Sequence, residues 1–199
     1  MLEFKNISIN LKDGAQSVPF SLVVDKGDVV CLQGSGGSGK SDILRAILGL
    51  EPIKDGFITV DGELVTPGSS SYFRNMIAYI PQQLPKDKIK VSELFQSLFS
   101  LHSNRTPKFD LRNLLSEWQF MGLDKSLLDN TLNTLDNSIL QSLLLSFLPS
   151  LNKEIVLLDN VEQTEMTQNI ISRLVSSANT EVLYTCRENK MSCNKIVNL

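Results

Sequence analysis

Cysteine is scarce in this chain and irregularly placed. Cys31, Cys186 and Cys193 are the three present, and none forms a C-x-x-C pair. An odd, scattered set argues against a disulfide framework and for a reducing compartment. Cys31 falls in an apolar run and reads as a small core residue. Histidine is scarcer still: His102 stands alone in the polar stretch 100–106, without partners for a catalytic or metal cluster, and reads as a surface loop residue. Long apolar runs are missing too. None approaches the ~20 residues that span a bilayer, and the longest, 143–148, reads as part of a core helix. The first residues, Met1 to Lys5, lack the charged-then-apolar shape of a secretory signal. A net charge of −3 leaves no basic footprint for nucleic acid. What remains is a chain of 199 residues, 42% hydrophobic, enough for one α/β domain with an inserted subdomain.

One stretch carries specific chemistry. Gly34-Ser35-Gly36-Gly37-Ser38-Gly39-Lys40-Ser41 matches the phosphate-binding pattern G-x-x-x-x-G-K-[ST] at every fixed position. The apolar run 29–32 before it predicts a buried strand, and Ile43, Leu44, Ile47 and Leu48 after it repeat at helical spacing. Glycines let backbone N–H groups turn inward around an anion. The helix that follows points its positive end at the same spot. Lys40 would reach the β- and γ-phosphates, and the Ser41 hydroxyl would ligate Mg²⁺.

The rest of the chain alternates strands and helices. Strands are predicted for the stretch from Leu2 to Leu11, for 18–24, and for 57–60 before an Asp61-Gly62 hairpin turn. Others follow at 77–80, 155–158, 182–185 and 196–199. Gly49 is placed to cap the loop helix, and Pro52 follows it. Between about Pro85 and Leu135 the texture turns helical. Val91, Leu94, Phe95, Leu98, Phe99, then Leu111, Leu114, Leu115 and Trp118 recur at helical spacing, with Trp118 as core packing. Helices are also predicted at 139–148 and 166–176. The pattern predicts an α/β fold of the P-loop NTPase type: a largely parallel central sheet, an N-terminal antiparallel β region and an inserted helical subdomain at about residues 85–145, all in one domain over 1–199.

Asp159 ends the apolar run 155–158. A strand there would carry the carboxylate to the C-terminal edge of the sheet, where it holds Mg²⁺. With the N-terminal strands, the loop, the Gly56 to Gly62 strand and Tyr79-Ile80-Pro81-Gln82 in the same order, the chain resembles the ATP-binding subunit of ABC transporters along its whole length. The resemblance implies an ATP–Mg²⁺ site. Residues 34–42 would cradle the nucleotide, Ser41, Gln82 and Asp159 would serve the metal, and Gln82 would link metal and attacking water to a membrane partner. It further implies a homo- or heterodimer of ATP-binding subunits. A separate transmembrane subunit would hold the chain at the cytoplasmic face of the membrane, with no nucleic-acid partner.

The family pattern breaks at several positions. The Leu-Ser-Gly-Gly-Gln signature of the family falls at Leu135-Asp136-Asn137-Ser138-Ile139. Asp136 would set a carboxylate against the partner subunit's γ-phosphate, and two unit charges ~4 Å apart repel by about 4 kcal/mol at an effective dielectric near 20. The plain alternative for Asp136 is an N-cap of the helix behind it. The catalytic glutamate of the family falls at Asn160, whose amide cannot accept a proton. The switch histidine falls at Cys186, a poor donor. The aromatic residue that stacks on adenine falls near Leu11. Asp42 would compete with phosphate for the helix N-terminus. Three functions stay open. One is a transport ATPase subunit with weak hydrolysis. Another is a structural or regulatory subunit without hydrolysis. The third is another phosphate-loop enzyme such as a small-molecule kinase.

Overall fold

The computed structural model describes residues 1–101, 104 and 110–199, so the reading of His102 and most of the polar stretch around it lies outside the described residues. In chain order, β1 (Leu2–Ser8), β2 (Phe20–Val24) and β3 (Val29–Gln33) lead into α1 (Lys40–Ile47). Next come β4 (Asp55–Val60), β5 (Glu63–Leu64), a single helical turn α2 (Ser70–Phe73) and β6 (Ile77–Ile80). The helical part holds α3 (Val91–Ser100), α4 (Leu111–Phe120) and α5 (Asn137–Leu151). The chain then returns through β7 (Ile155–Leu158), α6 (Glu165–Ala178), β8 (Glu181–Cys186) and β9 (Lys195–Asn198).

Two sheets result. The first is antiparallel, in the order β2-β1-β4-β5. Asp61 and Gly62 take φ of 50° and 83°, the two left-handed positions of a type I′ turn, and so return β4 to β5. Strand β2 starts two residues later than its sequence suggests. Val18 is 77% exposed, and Pro19 has no N–H to give to a ladder. The second sheet is parallel, in the order β6-β7-β8-β3-β9. Every residue of β7 and β8 is buried, as a parallel sheet covered on both faces requires.

Two apolar clusters hold these layers. One lies between the sheets and α1 and includes Phe4, Ile43, Leu44 and Leu183. The other lies beneath α3 to α6 and is built around Trp118, Phe95 and Phe147. Trp118 is 1% exposed, and its indole N–H donates to Ser146 Oγ at 2.9 Å, so the one polar atom of the ring is satisfied inside the core. Helix α1 closes as expected: Gly49 N–H donates to the Ala46 carbonyl and Leu50 N–H to that of Arg45. Helix α5 outruns its expected end at 148. Pro149 sits in its last turn, where the missing N–H forgoes one i→i−4 bond but only two helical residues follow, and Asn152 stops it at φ 49°. Among the described residues no helix is long and apolar enough to cross a membrane.

Candidate functional site

The loop at 34–39 emerges from the C-terminal end of β3, between β8 and β9. Its first residue is tied to the sheet, since Gly34 N–H donates to the Cys186 carbonyl at 3.2 Å. Its last residue, Gly39, caps α1 at φ 87°. A Cβ there would lie 2.3 Å from Ile9 Cδ1 and 3.0 Å from Leu11 Cδ2, so handedness and space both call for glycine. The Leu11 side chain therefore props the loop from below, while its neighbour Lys12 lines the cleft above.

Lys40 folds back over this cradle. Its ammonium donates to the carbonyls of Gly34 (2.8 Å) and Ser35 (2.7 Å) and to Ser38 Oγ (3.2 Å). Burial lowers its pKa, against the pull of the Asp159 charge. Reaching a phosphate means exchanging these three bonds to neutral oxygens for stronger ones to charged oxygens.

Asp159 sits just past β7 and is 2% exposed. Three hydroxyls surround its carboxylate. Ser41 Oγ donates to Oδ1 at 3.0 Å, Thr185 Oγ1 to the same oxygen at 2.7 Å, and Tyr79 OH to Oδ2 at 3.4 Å. Burial, with the Asp159 charge behind it, pushes the Tyr79 phenol up to about 12, so it stays a donor at neutral pH. A carboxylate and a hydroxyl side by side are hard oxygen donors of the kind that suit Mg²⁺, which keeps its other positions for water and phosphate. The residues present thus fit the metal that the sequence implies.

The cleft over the loop encloses about 650 Å³. It brings together Gly36, Gly37, Gly39, Lys40, Ser41, Asp42, Gln82, Asp159 and Asn160 from the expected set. Asn160 is exposed at φ 54°, a backbone state that asparagine tolerates. Its N–H donates to Thr185 Oγ1 at 2.7 Å, and its carbonyl accepts from Gln141 Nε2 of α5 at 3.4 Å.

Three expectations change. Cys186 does not line the cleft. It is 3% exposed, with its sulfur 3.1 Å from that of Cys31, because the end of β8 turns this side chain into the core. The Asp42 carboxylate lines the cleft but accepts from Arg45, whose charge offsets it, so it does not compete freely for the helix N-terminus. Asp136 does occupy the N-cap of α5, with its carbonyl accepting from Leu140 N–H at 3.0 Å, but its side chain makes no capping bond.

Sequence reasoning missed Lys12, Arg45, Gln83, Thr185 and Arg187, which also line the cleft, and passed over Tyr79 as part of a motif. Thr185 and Arg187 flank the switch position on either side, so its neighbours carried the signal. A smaller hollow of about 370 Å³ between residues 46–53 and 65–67 does not touch the loop.

Fold and cleft define an α/β protein with a phosphate loop, a carboxylate at the next-but-one strand end and a helical insertion between them. Residues 18–163 match the family described as ABC transporter, and the chain belongs to it. It is 31% identical over 144 residues to the ergothioneine transport ATP-binding protein EgtV of Helicobacter pylori (strain G27). That match takes in 68% of this chain and 62% of EgtV, so the chain spans less than two thirds of that relative's length. Among solved structures, an ABC transporter ATP-binding protein from Pyrococcus furiosus superposes with a TM-score of 0.78 at 20% identity, covering 100% of this chain and 96% of that one. A dimeric post-hydrolysis form of the cassette MJ0796, bound to ADP and Pi, superposes with a TM-score of 0.75 at 18% identity, covering 94% and 88%. At these identities the structural likeness establishes the fold: the P-loop NTPase architecture of ABC ATP-binding domains, with its parallel sheet, antiparallel β region and helices.

Proposed function

We propose that residues 1–199 act as one ATP-binding domain, with a helical subdomain at about 85–145, in an ABC-type membrane transporter. The observation that carries this reading is the 3.0 Å bond from Ser41 Oγ to Asp159 Oδ1 at the end of a loop whose Gly36, Gly37 and Gly39 line the cleft. It joins the end of the phosphate loop to the second anchor, which is the pairing that ATP–Mg²⁺ needs. Residues 34–42 hold the phosphates, with Lys40 as the mobile cation. Ser41 and Asp159 would hold Mg²⁺, and Gln82, which lines the same cleft, would serve it. Bound there, Mg²⁺ would neutralise charge on the phosphate oxygens.

Hydrolysis is weak or absent in this reading. Asn160 offers an amide where a proton acceptor is needed, and loss of a general base lowers rates by ~10²–10⁴-fold. The Cys186 thiol faces the core, not the cleft. The same two residues favour the second reading, a structural or regulatory subunit that binds ATP without turning it over. A phosphate-loop kinase is the weakest alternative, because family membership argues against it. The chain pairs with a like or related ATP-binding subunit and docks on a separate transmembrane subunit, which places it at the cytoplasmic face of the membrane.

Calorimetry of the full chain with ATP–Mg²⁺ tests the site. The wild type takes up nucleotide, and Lys40→Ala loses most of the affinity. Equal affinity in the two proteins would contradict the proposal. Phosphate release stays near background, and brisk turnover would overturn the reading of weak hydrolysis.

A further inference from the structure

We infer that Arg187 grips the terminal phosphoryl group of a bound nucleoside triphosphate, so that this site tells triphosphate from diphosphate. The inference rests on the nucleotide reading above and adds a residue to it that the family pattern does not supply.

Position comes first. In the parallel pairing of β3 with β8, Cys186 lies opposite Gln33, and the Cys186 carbonyl accepts from Gly34, the first residue of the loop. Arg187 is the next residue, so it leaves the sheet edge beside the loop. It is exposed, and it lines the same cleft as Lys40, Ser41, Asp159 and Asn160. Which phosphate it meets follows from Thr185. That residue stands two positions before Arg187 and donates to Asp159, so Arg187 belongs to the metal corner of the cleft. In phosphate-loop sites that corner serves the β- and γ-phosphates. Of the other missed cations, Arg45 pairs with the Asp42 carboxylate, and Lys12 comes from the segment after β1.

The mounting is rigid. The residues after Arg187 are pinned from three sides. The Glu188 carbonyl accepts from Gln163 Nε2 at 2.7 Å, Asn189 N–H donates to Gln33 Oε1 at 2.8 Å, and Tyr184 OH donates to Asn189 Oδ1 at 2.6 Å. Held backbone on both sides of a long side chain is what a positioned phosphate ligand requires. The guanidinium itself is uncommitted: no ion pair or hydrogen bond joins it to any described residue.

The chemistry suits the role. A guanidinium presents a planar fork of donors that meets two phosphate oxygens at once, and it stays charged at any physiological pH. Cys186, at the position where the family has its switch histidine, turns inward, and Arg187 supplies a cation one residue later.

Titration of the full chain with ATP and with ADP, followed by calorimetry, tests the assignment. Arg187→Ala should weaken ATP by about 10-fold or more, the scale of one lost charge-assisted contact, and leave ADP within about twofold. Arg187→Lys keeps the charge without the fork and should fall between wild type and Arg187→Ala for ATP. Equal losses for ATP and ADP, or no loss for either, would overturn the role of Arg187 and leave the nucleotide site standing. A wild-type chain that takes up neither nucleotide overturns both.

Discussion

Cys186 and Cys31 face each other across β8 and β3 with their sulfurs 3.1 Å apart, and both are buried. Burial raises the Cys31 thiol well above its ordinary pKa, so it stays protonated. The contact thus behaves as a packed thiol pair. It withdraws from the cleft the side chain of a residue whose backbone carbonyl helps to anchor the phosphate loop.

Cys186→His should therefore not restore a switch histidine. The site behind the strand is full, and forcing a larger ring into it costs about 1–3 kcal/mol. A lower urea midpoint and unchanged phosphate release are the expected results. Increased release would mean that the ring had turned outward.

Asn160→Glu should also fail to produce turnover. The carboxylate would arrive at φ 54°, where a left-handed backbone costs an ordinary side chain about 1–2 kcal/mol. It would leave untouched Asp136, which the family resemblance would set against the partner subunit's γ-phosphate. Phosphate release at background together with a small loss in thermal stability is the outcome to look for.

Lys195 joins β9 to the turn before β3, donating to Asp28 Oδ2 at 2.6 Å and to the Val23 carbonyl at 2.7 Å. Burial tends to raise the Asp28 pKa, but bonds from Lys195 and the Asp25 N–H, with the Lys195 charge, hold it below its ordinary value. The Asp28 hydrogen bond, larger than the small opposing effect of burial, raises Lys195. The signs define a window. The Asp28 contribution is present above its unfolded pKa and is lost as pH falls through the lowered folded value. The Lys195 contribution is present below its unfolded pKa and is lost as pH rises through the raised folded value. Lys195→Met should thus cost on the order of 0.5 kcal/mol near neutral pH, discounted for solvent screening. The deficit should shrink at both extremes in unfolding curves measured across pH.

Trp118→Phe removes the bond to Ser146 and leaves a gap beside Phe95 and Phe147. A buried hydroxyl that keeps only its bond to the Leu143 carbonyl (2.6 Å), together with the lost volume, should cost about 1–3 kcal/mol. Chemical unfolding measures that loss, and ATP affinity should stay unchanged, because Trp118 lies under the helices, away from the cleft.

Much of the fold was legible because its signals are local. The helix after the loop, the Asp61-Gly62 turn and the apolar run before Asp159 each depend on a few adjacent residues, and each stands where its pattern put it. The same holds for Ser41 and Asp159. Recognising them needed only a motif and a strand end, although their contact closes 118 residues of chain.

Other parts of the site were not legible. All six residues of β8 are buried, so no alternation along the strand marks which face Cys186 takes. The hydroxyls around Asp159 come from three separate elements and carry no shared pattern. By itself the sequence determined that a phosphate loop, a second carboxylate and a helical insertion would exist, since composition and short-range periodicity specify them. Only the tertiary structure decided that Thr185 and Tyr79 would converge on Asp159, that Cys186 would turn inward and that Arg187 would stand over the cleft. The register between strands distant in sequence selects those side chains, and register is set by how the whole core packs.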